Sequence, residues 1–264
     1  MKCFKASCRR WLALGASLLV AACAAPAPRG DAAADWRATW DASVAGLERL
    51  RLQGQIQVQW KDADGSHREQ GDLDAILDGD ARSSLRVTKF GDVMMWIGVT
   101  PDQAWVFDMT SDPTTLTVGV PGAAEGQPML PPSVLRLVLA LDPWPSGTIR
   151  TVDDSGNVVL EGQVSGGSFR ARLDAGTLRP IDVRFHRDDV GTVTGTHRWT
   201  TGEVRIAPRV RVLARVVDVS AGDTLLKFRT SRGQVLSADD IARLAGVWFD
   251  VDRIAAHLKP ELIQ

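Results

Sequence analysis

The sequence contains no tyrosine, and its three cysteines, Cys3, Cys8 and Cys23, all fall before residue 24. The chain after Cys23 therefore has no disulfide, no thiolate metal site and no cysteine nucleophile. A domain of this kind is held together by burial alone, and nine Trp with abundant Val and Leu supply the material. Gly-x-Ser-x-Gly, the commonest esterase elbow, is missing. His67, His186, His197 and His257 are scattered and no two stand at a metal-ligand spacing, so neither a metal nor a cofactor is expected. An excess of positive charge is lacking too: 31 Lys and Arg face 32 Asp and Glu. That balance argues against nucleic acid as a partner. The longest early apolar run, Trp11 to Val20, is about ten residues, short of the roughly 20 that a bilayer-spanning helix needs.

That run belongs to the one strong motif. A basic start (Lys2, Lys5, Arg9, Arg10) precedes it, and Leu18-Leu19-Val20-Ala21-Ala22-Cys23 closes it. Small residues beside a scissile bond and a cysteine just after it are what a bacterial lipoprotein leader requires, with the Cys23 thiol taking up diacylglycerol. Residues 1–22 are read as the signal peptide and Cys23 as the lipidation site. Cleavage leaves 242 of the 264 residues; the leader carries four basic and no acidic residues, so the net charge of −1 becomes −5. Residues 23–34 are the lipidated cysteine and a small, Pro-broken tether. Its eleven residues after Cys23 reach about 35 Å at roughly 3.3 Å each. Ala24 after the cysteine is compatible with outer-membrane sorting, since the usual retention signal there is Asp. The expected location is the periplasmic side of the bacterial outer membrane.

The folded domain is placed at residues 35–235. Trp36, Trp40, Val44 and Leu47 predict a helix over 36–50 with Asp35 as its cap. Leu52, Ile56, Val58 and Trp60 then alternate with glutamines, as a half-buried strand demands. Short strands separated by turn residues continue over 52–120, one of the turns being Gly91-Asp92. Pro131 and Pro132 open an apolar helix over 132–141, stopped at Asp142-Pro143. Further strands fill 148–230, giving about fourteen in all. Residues 236–264 form a C-terminal helical extension, opened by a capping-box-like Ser237-Ala238-Asp239-Asp240 and broken near Gly246. The fold class is mainly β with flanking helices.

The helix that runs into Leu50-Arg51-Leu52-Gln53-Gly54-Gln55-Ile56-Gln57-Val58, the meander, the Pro-started apolar helix and the later strands together resemble the Lol lipoprotein-localisation factors. These are the soluble periplasmic carrier and the lipid-anchored outer-membrane receptor of the LolA/LolB-like superfamily. The resemblance spans about Trp36 to Thr230 and rests on element order. It implies a strongly curved, incomplete antiparallel half-barrel whose apolar concave face is partly covered by helices and binds acyl chains of lipoproteins or other amphiphiles. One departure stands out: receptor members present an exposed apolar residue on a loop between early strands, and the Gly91-Asp92 turn has none. Membrane insertion is therefore not carried over.

A sheet this long cannot stay flat and must curl or split into a sandwich. If it curls, Ile56, Val58, Trp60, Leu85, Val87, Met95, Ile97, Trp105, Phe107, Leu116 and Val118 are candidates for the inner wall, with Leu135, Val138 and Leu139 as the lid. Burial of an acyl chain there gains about 0.8 kcal/mol per methylene. The competing reading of the same side chains is a filled core.

Other signals have plain structural explanations. Asp153-Asp154, Asp188-Asp189 and Asp239-Asp240 sit where turns or caps are expected, and Asp62-x-Asp64-Gly65 lacks the later Glu of an EF-hand. His186 and His197 could meet on neighbouring strands. Arg209, Arg211 and Arg215 share a strand face that could steer anionic head groups or simply be the wet side of a sheet. No nucleophile, base and oxyanion set can be assembled from spacing. The expectation is a non-enzymatic, membrane-anchored lipoprotein binding acyl chains or lipoproteins. The alternative is a structural or assembly lipoprotein that binds a protein partner of an envelope complex.

Overall fold

The alternation of apolar residues and glutamines after Arg49 forms an extended strand, because a period of two puts every second side chain on one face. The structure, a computed structural model, describes residues 36–62, 65–121, 130–188, 191–206, 210–221 and 224–263. The leader, Cys23 and the tether lie outside the described residues. In chain order the elements are α1 (Trp36–Val44), β1 (Arg49–Asp62), β2 (Gly65–Asp78), β3 (Arg82–Lys89), β4 (Asp92–Val99), β5 (Ala104–Asp108), β6 (Thr115–Gly119), α2 (Pro132–Val138), β7 (Ile149–Val152), β8 (Val158–Val164), β9 (Gly167–Leu173), β10 (Pro180–Arg187), β11 (Gly191–Ile206), β12 (Val210–Ala221), β13 (Thr224–Val235), α3 (Ala238–Trp248), α4 (Val251–Leu258) and β14 (Leu262–Ile263).

All the described strands form one open, curved sheet in the order β14-β6-β5-β4-β3-β2-β1-β13-β12-β11-β10-β9-β8-β7. Neighbours are antiparallel except the short β14, which runs parallel to β6 and covers that edge. The chain thus lays down half the sheet outward from β1, crosses by way of α2, and lays down the other half inward to β13. β13 then pairs with β1 from Leu50 opposite Val235 to Gln59 opposite Leu225, with a register shift at Gln53/Gly54.

Three helical spans differ from the sequence reading. α1 stops at Val44 instead of 50, because Gly46 takes φ +81 and Leu47 N–H closes on the Val44 carbonyl at 3.1 Å. α2 ends at Val138 instead of 141. Leu139 caps it, Ala140 takes φ +46, and the Leu141 N–H reaches back to the Arg136 carbonyl at 3.0 Å. The C-terminal stretch breaks at Phe249 and not at Gly246, since the Asp250 side chain accepts from the Arg253 N–H and starts α4. The capping box of α3 forms as expected, with Ser237 and Asp240 bonded to each other's backbone N–H. Asp153 likewise organises the turn between β7 and β8, accepting from the N–H groups of Ser155 and Asn157 at 2.9 Å.

Helices cover both faces of the sheet. On one face α3 and α4 bury Ile241, Trp248, Phe249, Val251 and Ile254 against Ile76, Trp96, Trp105, Phe107 and Leu116. Their docking is helped by arginines held in place by carboxylates: Asp74 binds Arg51 at 2.6 Å and Arg86 at 3.3 Å, and Asp78 binds Arg82 at 2.5 Å. The Arg86 guanidinium lies 5.2 Å from the Trp96 ring and 4.8 Å from that of Trp248, and Arg82 lies 4.7 Å over Phe249. Trp96 also donates its indole N–H to Ser84 Oγ at 2.8 Å. Planar cations over aromatic faces add attraction that an aliphatic contact lacks.

Trp248→Ala removes the side chain that meets both Trp96 and Arg86. It is expected to lower unfolding stability by about 3–5 kcal/mol, read as a fall in the urea midpoint; an unchanged midpoint would mean that α3 and α4 contribute no core.

Candidate functional site

The other face carries α2. The register fixes its rungs: Leu52, Ala75, Leu85, Ile97 and Val106 lie side by side, and Gly54, Leu73, Val87 and Met95 form the next row. Beyond them on β1 come Ile56 opposite Gly71, Val58 opposite Glu69, and Trp60 opposite His67, whose ring stacks on the indole at 5.1 Å. The inner rungs are roofed by α2 and the turn after it. A cavity of about 30 Å³ remains there, walled by Leu52, Leu73, Leu85, Leu135, Leu139 and Phe228 among others. A second, also about 30 Å³, lies along the outer rungs among Ile56, Val58, Trp60, Val87, Met94 and Met95. A water needs roughly 10–15 Å³ of such space, so in this conformation side chains fill most of the face.

A register shift between Val87 and Thr88 shapes the outer cavity. Met95 pairs with Val87 and Val93 with Thr88, which leaves Met94 as the extra residue of a bulge. Bulges re-aim side chains. Here two consecutive methionines line the same hollow instead of pointing to opposite faces.

α2 is clamped from beneath and from its flank. Gly195 of β11 lets it approach so closely that a Cβ there would stand 2.3 Å from the Val138 carbonyl oxygen. The same carbonyl is hydrogen bonded to His197 Nε2 at 2.9 Å. On the flank, Arg136 is only 2% exposed; it donates to the Glu48 carbonyl at 3.1 Å, the Leu47 carbonyl at 3.0 Å and Asp142 Oδ1 at 2.8 Å. α1 adds Trp40, whose indole N–H donates to the Asp142 carbonyl at 2.9 Å and whose ring stacks on Trp144, itself stacked on Phe169.

The structure separates the candidate wall residues. Ile56, Val58, Trp60, Leu85, Val87, Met95 and Ile97 share the α2 face, and Leu135 and Leu139 border the inner cavity. Val138 packs onto β11 instead. Trp105, Phe107 and Leu116 belong to the opposite face, buried under α3 and α4, with Val118 packed against the same cluster. The cause is the register Ile97 opposite Val106, which brings Val106 to the α2 face and turns Trp105 and Phe107 away from it. A strand buried on both faces reads as apolar throughout, so its pattern does not say which side a residue takes. Leu73, Leu77, Phe228 and Met94 line the cavities without having been singled out in sequence.

The turn between β3 and β4 is a second correction. Lys89 pairs with Asp92, so its tip is Phe90-Gly91, with φ +56 and +96. Phe90 is 96% exposed. An apolar side chain therefore does stand on an early-strand turn. His186 and His197 do not meet: His186 pairs across from Thr192, and His197 from Val217. Among the described residues no cluster of His, Cys, Asp and Glu could hold a metal, and no helix is long and apolar enough to cross a membrane. Of the arginine stripe, Arg209 lies outside the described residues, as do the side chains of Arg211 and Arg215.

No family model and no curated protein matches the chain. Solved structures are similar to it at low identity. A LolA-superfamily protein from Nitrosomonas europaea shares 11% identity at a TM-score of 0.45, over 79% of this chain and 96% of that one. An outer membrane lipoprotein-sorting protein domain, described as putative, from Vibrio parahaemolyticus shares 13% at 0.46, over 83% and 98%. A DUF1329-family protein from Desulfovibrio piger shares 10% at 0.39, over 83% and 97%.

Burial pushes the Asp142 carboxyl above its usual 3.8 despite the pull of Arg136, and Asp80 and Glu48 push it the same way. The ion pair therefore fixes geometry more than it adds stability. A carboxyl whose folded pKa is raised contributes most below its unfolded pKa, and the contribution is lost as pH rises through the folded value. Relative to Asp142→Asn, the native chain should lose stability as pH climbs from about 4, measured by denaturant titration at a series of pH values; parallel curves would contradict this. Arg136→Met, which strands Asp142 and the Leu47 carbonyl, should cost about 3–5 kcal/mol at neutral pH.

Proposed function

We propose that the chain is a lipid-anchored envelope lipoprotein, tethered through Cys23 at the periplasmic side of the outer membrane, whose α2 face binds acyl chains or lipoproteins without chemical conversion. The observation that carries this is the outer part of that face, which no described helix covers. Val58, Trp60, Met94, Met95, Ile97 and Val106 are only partly buried, although they continue the same apolar rungs that α2 covers farther in. A core with no further purpose would bury them. Moving apolar ligand surface onto them gains roughly 25 cal/mol per Å². Phe90 supports the role of a stationary acceptor at a membrane: an exposed aromatic ring on a tight turn is suited to contact a bilayer.

A second reading, an assembly lipoprotein that docks a protein partner, is favoured by the edge strand β7, where Ile149 and Val152 are both more than half exposed. An open edge with apolar side chains can accept a strand from a partner.

Three measurements test the proposal. Metabolic labelling with an alkyne fatty acid should mark the wild-type chain and not Cys23→Ser. Mass spectrometry of the purified Cys23→Ser chain should find bound acyl lipid, and its Phe90→Ser derivative should sediment severalfold less with anionic vesicles. A chain free of lipid that cross-links in cells to one stoichiometric protein would overturn the first reading in favour of the second.

A further inference from the structure

We infer that the α2 face is a one-chain site, taking a single-chain amphiphile such as a fatty acid or lysophospholipid in preference to diacyl or triacyl lipids. The inference rests on the acyl-binding reading and narrows it. Room for a ligand has to be created, because each cavity is only about 30 Å³. The roof does not supply that room. α2 lies directly on the β11 backbone at Gly195, is bonded through its Val138 carbonyl to His197, and is pinned by the buried Arg136 to the Leu47 and Glu48 carbonyls. Lifting it would strand a buried guanidinium and the Leu47 carbonyl, each a substantial cost.

The part that can yield is the outer hollow. Among the described residues no helix borders it, and its wall includes Met94 and Met95, which the bulge places side by side. Unbranched thioether side chains with three rotatable bonds adapt to an incoming shape more readily than leucines do. The two cavities meet at one rung, where Leu73 borders the inner one and Val87, its partner across β2 and β3, borders the outer. A chain entering at Trp60 and running along β1 to Leu52 passes eight residues, about 27 Å at ~3.4 Å each. That is length for one extended acyl chain. Width for a second would require displacing α2.

The test uses the full chain carrying Cys23→Ser, so that its own anchor does not compete, and reads Trp fluorescence titrations together with native mass spectrometry. Palmitate and palmitoyl lysophosphatidylcholine are expected to bind as one molecule per chain, and a triacylated lipopeptide at least tenfold more weakly. Val58→Trp, which fills the outer hollow, should weaken palmitate binding at least tenfold while unfolding at a similar urea midpoint. If that variant does not fold, Met95→Trp serves the same purpose. Lipopeptide binding as tight as palmitate, or two palmitates per chain, would overturn the one-chain site and leave the acyl-binding reading standing. No binding of any acyl probe would sink both.

Discussion

The pairing of β1 with β13 is the constraint on which the rest depends. Each half of the chain is a meander, and each half alone leaves one side of its innermost strand, β1 or β13, unpaired. Joining them along ten paired positions makes one sheet and fixes which side chains share a face across the seam, Ile56 meeting Phe228 and Val58 meeting Leu226. Because the crossover between halves runs through α2, that helix is delivered onto one face of the seam. The other face of β2 to β6 is left for α3 and α4.

Two cores with different characters follow from this. Under α3 and α4 the packing is aromatic and closed, with Trp96 and Trp248 edge to face at 5.5 Å and arginines laid over the rings. Under α2 it is aliphatic and covers only the inner rungs. No residue of α2 borders the outer hollow, where Val58, Trp60 and the paired methionines are half-buried. Buried polar groups sit where α2 must be held, at Arg136 and His197, and their hydrogen bonds go to the backbone carbonyls of Leu47, Glu48 and Val138. The stiffness of the roof and the softness of the outer wall thus have separate physical origins.

Much of this was legible in sequence. The alternation at Leu52 to Trp60 gave β1, Pro131-Pro132 gave the start of α2, and Ser237 to Asp240 gave the start of α3, since each rests on local chemistry. What escaped were features decided by register. Trp105 and Phe107 face α3 and α4, which the sequence does not disclose because a strand buried on both sides carries no polar marker. Met94 was overlooked because a bulge leaves no residue-level signal. Gly91-Asp92 looks like the turn in sequence, whereas the pairing of Lys89 with Asp92 moves the turn back by one and puts Phe90 at its tip. Side-chain periodicity names a face only relative to its neighbours, and the neighbours are fixed by pairing.

The central claim is that the soft outer hollow beside a clamped α2 receives the ligand. Its most direct test is the methyl spectrum of the protein labelled with ¹³C-methyl methionine, recorded as a fatty acid is added. The account predicts that the Met94 and Met95 methyl signals shift with the added ligand while indole signals of Trp96 and Trp248, on the opposite face, stay in place. Methionine signals that do not move, or indole signals that move instead, would contradict it.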